Sequence, residues 1–251
     1  MAAFTSNGVS INYIDEGQGP PVVLVHGFAS SLHGNWRATG IVDALVKSGR
    51  RVVALDCRGH GRSGKPHDPE AYGGTKMADD VLALMDQLGI QQADLMGYSM
   101  GGGISASLLV RHPERFKTVI LAGIGDGMLS GGPRRTGLAE GMEAKDASEV
   151  QDATARGFRQ FAEQSGNDLG ALAAMQRSAR APLDAPKLAG VRLPVLVLIG
   201  AEDTLAGPAD RLAAAIPGAR HAVVPGDHLS VFQKPGYTAA VVSFLDEVSP
   251  V

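Results

Sequence analysis

The chain of 251 residues holds a single cysteine, Cys57. That excludes an intrachain disulfide framework and a zinc site built from several cysteines. Positive charge is not in excess either. The 23 Lys and Arg against 26 Asp and Glu leave a formal net charge of −3, so no nucleic-acid partner is expected. No apolar run approaches the ~18 residues needed to span a bilayer. The opening residues, Met1-Ala2-Ala3-Phe4-Thr5-Ser6-Asn7-Gly8, have neither the basic stretch nor the apolar stretch of a signal peptide. The expected setting is therefore cytoplasmic, with a small-molecule substrate rather than a membrane as partner. The sequence leaves homo-oligomerisation open. Glycine (33) and proline (14) make the chain turn-rich, yet short of the roughly 25–30% share that marks low complexity. No internal repeat is visible.

What is present is a recurring short apolar run. Val22-Val23-Leu24-Val25, Arg51-Val52-Val53-Ala54-Leu55-Asp56, Ala93-Asp94-Leu95-Met96-Gly97, Thr118-Val119-Ile120-Leu121-Ala122, Val195-Leu196-Val197-Leu198-Ile199-Gly200 and His221-Ala222-Val223-Val224-Pro225 are the six examples. Runs without polar alternation are strands buried on both faces, as in a parallel sheet. Before them, Val9, Ile11 and Tyr13 alternate with polar residues behind an Asn7-Gly8 turn signal. Between the runs lie helix-period segments. Met77, Val81, Leu84 and Leu88 form one stripe, and Ile104 to Leu109, Ala209 to Ile216 and Tyr237 to Val248 supply others. Alternating strands and helices predict an α/β fold with a mainly parallel sheet.

Residues 124–187 break that alternation. Gly125, Gly127, Gly131, Gly132 and Pro133 open the stretch, its middle is helix-prone, and Pro182 and Pro186 close it. It leaves at a strand's carboxyl end, where open α/β sheets bind ligands. The expectation is a helical cap over residues 1–123 and 188–251, which form the core.

Gly97-Tyr98-Ser99-Met100-Gly101 matches G-x-S-x-G between an apolar strand and a helix. A sharp strand-to-helix turn exposes the serine Oγ, and side chains at Gly97 and Gly101 would collide with neighbouring backbone. A serine hydroxyl needs a base, and the base needs an orienter. His228, in Pro225-Gly226-Asp227-His228, and Asp203, in Gly200-Ala201-Glu202-Asp203, each follow a strand at the same edge. Glu202 and Asp126 are rival carboxylates, and Asp227 reads as a turn former. Two N–H donors should hold the oxyanion: those of Met100, after the nucleophile, and of Phe28, in His26-Gly27-Phe28-Ala29-Ser30. His26 itself reads as a loop-holding residue. Cys57 reads as a small buried side chain. The remaining histidines show no i, i+4 pairing, so no metal is expected. Trp36 is expected between a helix and the sheet. Leu205, Leu229, Met128, Met142 and Phe158 are the candidate substrate contacts.

These residues together resemble the α/β-hydrolase superfamily over nearly the whole chain. His26-Gly27-Phe28, Asp56-Cys57-Arg58-Gly59-His60-Gly61-Arg62-Ser63, the Ser99 elbow, Gly200 to Asp203 and Gly226 to His228 carry the match in order. The resemblance implies an eight-stranded, mostly parallel sheet flanked by helices, with a helical cap insertion. It also implies a Ser99–Asp203–His228 triad, an acyl-enzyme, and neither metal nor other cofactor. Epoxide hydrolases and haloalkane dehalogenases of this superfamily carry Asp at the elbow, where this chain has Ser99.

The expected activity is hydrolysis of a small-to-medium, mainly uncharged carboxylic ester. A C–C bond hydrolase, thioesterase, lactonase or cofactor-free perhydrolase would use the same triad. A small-ligand receptor retaining the fold is the alternative from another class. A neutral imidazole is required of a general base, so hydrolysis should fail in acid.

Overall fold

The computed structural model describes residues 2–130, 137–179 and 181–251. Of the expected opening of the insertion, Gly131, Gly132 and Pro133 fall outside the described residues. Eight strands form one sheet: β1 (Ala2–Ser6), β2 (Val9–Glu16), β3 (Pro21–Val25), β4 (Arg51–Leu55), β5 (Ala93–Tyr98), β6 (Phe116–Ala122), β7 (Val195–Gly200) and β8 (Arg220–Val224). Their order across the sheet is β1-β2-β4-β3-β5-β6-β7-β8. β1 pairs with β2, and β2 with β4, antiparallel. The other five pairings are parallel. The β1–β2 hairpin turns at Asn7 and Gly8, both at positive φ, as an Asn-Gly turn requires.

Helices α1 (Ile41–Lys47), α2 (Lys76–Gln87), α3 (Met100–Arg111), α7 (Asp210–Ala214) and α8 (Pro235–Val248) flank the sheet. The insertion contributes α4 (Leu138–Glu143), α5 (Ala153–Gln164) and α6 (Leu169–Arg177). The apolar runs of β3 to β7 are buried on both faces because adjacent residues point to opposite layers, whereas the run in β8 departs from the expectation: β8 is an edge strand, Val223 is exposed and only Val224 is buried. Val23, Val25, Leu95, Leu121 and Val197 join the core under α2 and α3. Val22, Leu24, Met96, Ile120 and Leu198 join the core under α1 and α8.

Sequence periodicity did not disclose α1 or the five-residue π turn before it, His33–Arg37. Both are too short to show a repeating stripe. Trp36 sits in that turn, fully buried in the α1/α8 layer, with its ring edge-on to Phe232.

Register fixes what meets at the carboxyl edge. Val25 stands opposite both Leu55 and Gly97. Tyr98 stands opposite Ala122, and Gly200 opposite Val224. The loops that follow β3, β5, β7 and β8 therefore leave the sheet side by side.

Candidate active site

Ser99 occupies the turn between β5 and α3 with φ 52° and ψ −109°. A non-glycine residue at positive φ costs on the order of 1–3 kcal/mol, so the surroundings must impose it. They do so by close backbone approach. A Cβ on Gly97 would stand 2.1 Å from Gly101 O, and one on Gly101 would stand 2.0 Å from Val25 O. Ser99 N–H donates to Ala122 O at 2.8 Å, and Ser99 O accepts from Gly103 N–H at 3.0 Å. The hydroxyl is thus held up from the sheet's edge by four backbone segments.

The structure brings the three separated residues together. His228 Nε2 lies 2.8 Å from Ser99 Oγ, and Nδ1 lies 2.7 Å from Asp203 Oδ2. The Asp203 side chain is fully buried, and its Oδ1 accepts the Ala206 N–H at 2.9 Å. A carboxylate is acceptor-only, so it selects the tautomer with hydrogen on Nδ1. Nε2 is then left with a lone pair toward the serine. Tyr98 reinforces the arrangement from below: its hydroxyl donates to His228 O at 2.7 Å, and its ring lies 5.1 Å from the imidazole. Burial pushes the Tyr98 phenol well above its ordinary range.

The rival carboxylates are occupied elsewhere. Glu202 accepts the Gly226 N–H and so steadies the loop that carries His228. Asp126 accepts the Leu212 N–H at the start of α7. Asp227 accepts the N–H groups of Leu229 and Ser230, which lower its pKa.

The loop after β3 is pinned at several points. His26 Nδ1 bonds Gly27 O at 2.7 Å, while Nε2 accepts the Cys57 N–H at 2.9 Å. Those two bonds define a neutral ring, and burial holds its pKa below the ordinary value. Asn35 Oδ1 accepts the Gly27 N–H at 2.7 Å. Asn167, from the insertion, donates to Ala29 O at 2.7 Å, and Ala29 is itself at φ 57°. Asp56 takes the Leu32, Arg62 and Asn12 donors at 2.8–2.9 Å. A Cβ on Gly61 would lie 2.3 Å from that carboxyl carbon, which is why the segment after β4 needs glycine there. Cys57 is buried, and its thiol pKa is raised by burial.

Phe28 and Ser99 border two cavities, one of about 360 Å³ and one of about 410 Å³. The first is also walled by Met100, Ile104, Met128, Leu138 and Leu205. The second is also walled by His228, Phe158, Phe161, Asn35 and Gln233. Of the expected substrate contacts, Leu205 and Met128 line the first cavity and Phe158 the second. Leu229 also lines the second cavity, at its rim, where it is 56% exposed. Met142 requires correction. It is 2% exposed and borders neither cavity, since the buried face of α4 that carries it turns into α5 and α6. Sequence reasoning does not single out Asn35, Asn167 or the Tyr98 hydroxyl, and it weighs Glu202 only as a rival carboxylate. Their contacts to Gly27, Ala29, His228 and Gly226 leave no local sequence pattern.

Among the described residues, no group of three or more His, Cys, Asp or Glu side chains is placed to hold a metal ion. No described helix is long and apolar enough to cross a membrane.

Known proteins similar to this chain include hydrolases. A 2-hydroxymuconate semialdehyde hydrolase of Pseudomonas sp. (strain CF600) is 40% identical over 118 residues, covering 46% of this chain and 40% of that protein. An epoxide hydrolase of Caballeronia sordidicola is 34% identical over 114 residues, covering 45% of this chain and 34% of that protein. The chain thus matches well under half the length of these curated relatives. Among solved structures, the enol-lactonase from Burkholderia xenovorans LB400 superposes with a TM-score of 0.73 at 28% identity, covering 97% of this chain and 99% of that one. Residues 20–162 match the family model described as alpha/beta hydrolase fold, and the chain belongs to that family of hydrolases.

Proposed function

We propose that this hydrolase is a serine enzyme that cleaves small-to-medium, uncharged carboxylic esters through an acyl-enzyme. The observation that carries the reading is the continuous hydrogen-bonded path Asp203–His228–Ser99, at 2.7 and 2.8 Å. His228 takes the Ser99 proton as Oγ attacks the carbonyl, and Asp203 stabilises the imidazolium that forms. The oxyanion donors in this reading are the N–H groups of Met100 and Phe28. The first opens α3, so no acceptor exists for it within the helix. The second makes no hydrogen bond to another described group. Residues 124–187 act in this reading as a cap, supplying Met128, Leu138 and Phe158 to the cavity walls.

A serine at the elbow also bears on the epoxide-hydrolase relative. Oγ attack on an epoxide would form an ether, which water does not cleave by this route, whereas attack on an acyl carbon forms an ester that it does. Carbon–carbon bond cleavage is the second reading, favoured by the hydroxymuconate semialdehyde hydrolase match. Among the described residues, neither cavity is lined by Lys or Arg, which favours a neutral ester over a carboxylate-bearing substrate.

The test is hydrolysis of a short-chain 4-nitrophenyl ester by Ser99→Ala. Turnover should fall by about 10⁵–10⁶-fold with an unchanged circular dichroism spectrum. A fluorophosphonate should label the native protein at Ser99 and spare the variant. Undiminished turnover in Ser99→Ala would refute the proposal.

A further inference from the structure

The turn after β3 carries Phe28, and its own bonds do not account for its shape. Gly27 O accepts the Ser30 N–H at 3.3 Å, longer than the usual N–H···O separation. Ala29, third in that turn, stands at φ 57°, where a turn ordinarily places glycine. A residue with a side chain persists in that region only where its surroundings hold it there.

Those surroundings come from two sides. The core supplies Asn35 Oδ1 on the Gly27 N–H at 2.7 Å. It also supplies the His60 ring, edge-on to Phe28 with centroids 6.0 Å apart. The insertion supplies the rest. Asn167 Nδ2 donates to Ala29 O at 2.7 Å. The Phe158 ring of α5 lies 5.6 Å from the Phe28 ring, tilted by 58°, and both side chains are buried. Aromatic pairs at such separations attract beyond the area they bury. Phe28 is therefore clasped between a ring of the core and a ring of the insertion.

We infer that Phe158 is a positioning residue for the oxyanion: seated against Phe28, it fixes the backbone that presents the Phe28 N–H beside Ser99. The inference rests on the serine-ester reading above, which makes that N–H a donor. A Cβ built on Gly27 would stand 3.5 Å from Ser99 Cβ, so the turn runs against the nucleophile. As Oγ bonds to the acyl carbon and its proton passes to His228, the carbonyl electron pair moves onto oxygen. The Phe28 N–H meets that charge, and its worth depends on a separation of about 2.7–3.1 Å. Complete loss of one such donor costs about 10²–10³-fold in rate. A donor displaced by the loss of its clasp should cost part of that.

The test compares 4-nitrophenyl butyrate with its thiono analogue, in which sulfur replaces the carbonyl oxygen. Sulfur is a weak hydrogen-bond acceptor, so the thiono ester draws less on the donor. Phe158→Leu should lower kcat/KM for the oxo ester about tenfold and for the thiono ester much less, so the oxo-to-thiono ratio falls. Phe158→Met keeps side-chain bulk without the ring and should lower the ratio similarly. Phe28→Leu retains the backbone N–H but removes the partner ring. Adding Phe158→Leu to it should change the ratio little, because the contact is already gone. A wall residue that only touches substrate would alter both esters alike. An unchanged ratio in both Phe158 variants, or additive losses in the double variant, would overturn the positioning role and leave the serine-ester reading intact. Failure of the oxo ester to form an acyl-enzyme at Ser99 in the native protein would overturn both.

Discussion

The carboxyl edge of the sheet and the 124–187 insertion position their residues by different means. At the edge, each member of the Ser99–His228–Asp203 path follows a strand within a few residues: Ser99 directly after β5, Asp203 three past β7 and His228 four past β8. Strand register sets their spacing before any side chain contributes. The described residues of the insertion hold no strand. Its helices are held by dispersed contacts, among them Arg159, whose guanidinium donates to Gly141 O, Met142 O and Ala144 O at 2.7–3.2 Å and pairs with Glu163. It meets the rest of the molecule through side-chain bonds such as Asn167 to Ala29 O and His67 to Asp168, through the paired backbone bonds of Gly74 with Ala179 and Ala181, and through apolar packing that includes Phe158 against Phe28. The difference teaches that the reacting groups depend on strand register, whereas the insertion's share of the cavity walls depends on side-chain packing and dispersed hydrogen bonds.

The comparison can be broken first at the edge. Asp203→Asn should lower kcat by about 10⁴-fold, because an amide selects the wrong imidazole tautomer. Steady-state rates at constant melting temperature would show it, and a loss under tenfold would mean the edge is less dependent on this path than argued. The insertion's dependence on Arg159 comes next. Arg159→Met leaves three carbonyl acceptors without their donor and should cost about 2–3 kcal/mol by urea unfolding. Fluorophosphonate labelling of Ser99 in native buffer should persist, and its loss would show that the two regions do not separate.

A smaller effect tests the join between them. Asn167→Ala frees the carbonyl of Ala29 next to the Phe28 N–H, so kcat should fall about tenfold, one lost hydrogen bond's worth, with KM little changed. Binding of a boronic acid should weaken in parallel. A change in KM alone would make Asn167 only a wall residue.

The smallest effect concerns stability in acid. His26 is neutral in the fold with its pKa lowered, chiefly by burial. The unfolded chain therefore binds a proton there that the folded chain does not, once pH falls below the ordinary value of about 6.5. Stability from this residue is fully present above that pH and declines below it. Between pH 7 and pH 5, His26→Gln should lose less urea stability than the native chain. Equal losses would count against a buried neutral ring.

Much of the edge was legible in the sequence. The apolar runs of β3 to β7 lack polar alternation because both faces are covered, the edge strand β8 being the exception, and G-x-S-x-G sits where a strand gives way to a helix. The chain order and strand-end placement of Asp203 and His228 followed from the same reading. What escaped it depended on partners far along the chain. Met142 was expected at the substrate because it is apolar and in the insertion. Which face of α4 turns inward depends on α5 and α6, and composition does not encode that. Asn167 meets Ala29 across 138 positions. Helix starts in the insertion did carry a readable signal: Asp152 and Asp168 accept N–H groups at the heads of α5 and α6.

Tyr98 links the nucleophile's own strand to the backbone of the base. Because it immediately precedes Ser99 and grips the carbonyl of His228, a displacement of β5 carries both ends of the proton-transfer gap in the same direction. Breathing of the sheet becomes a shared translation, and the 2.8 Å separation on which reaction depends is shielded from it.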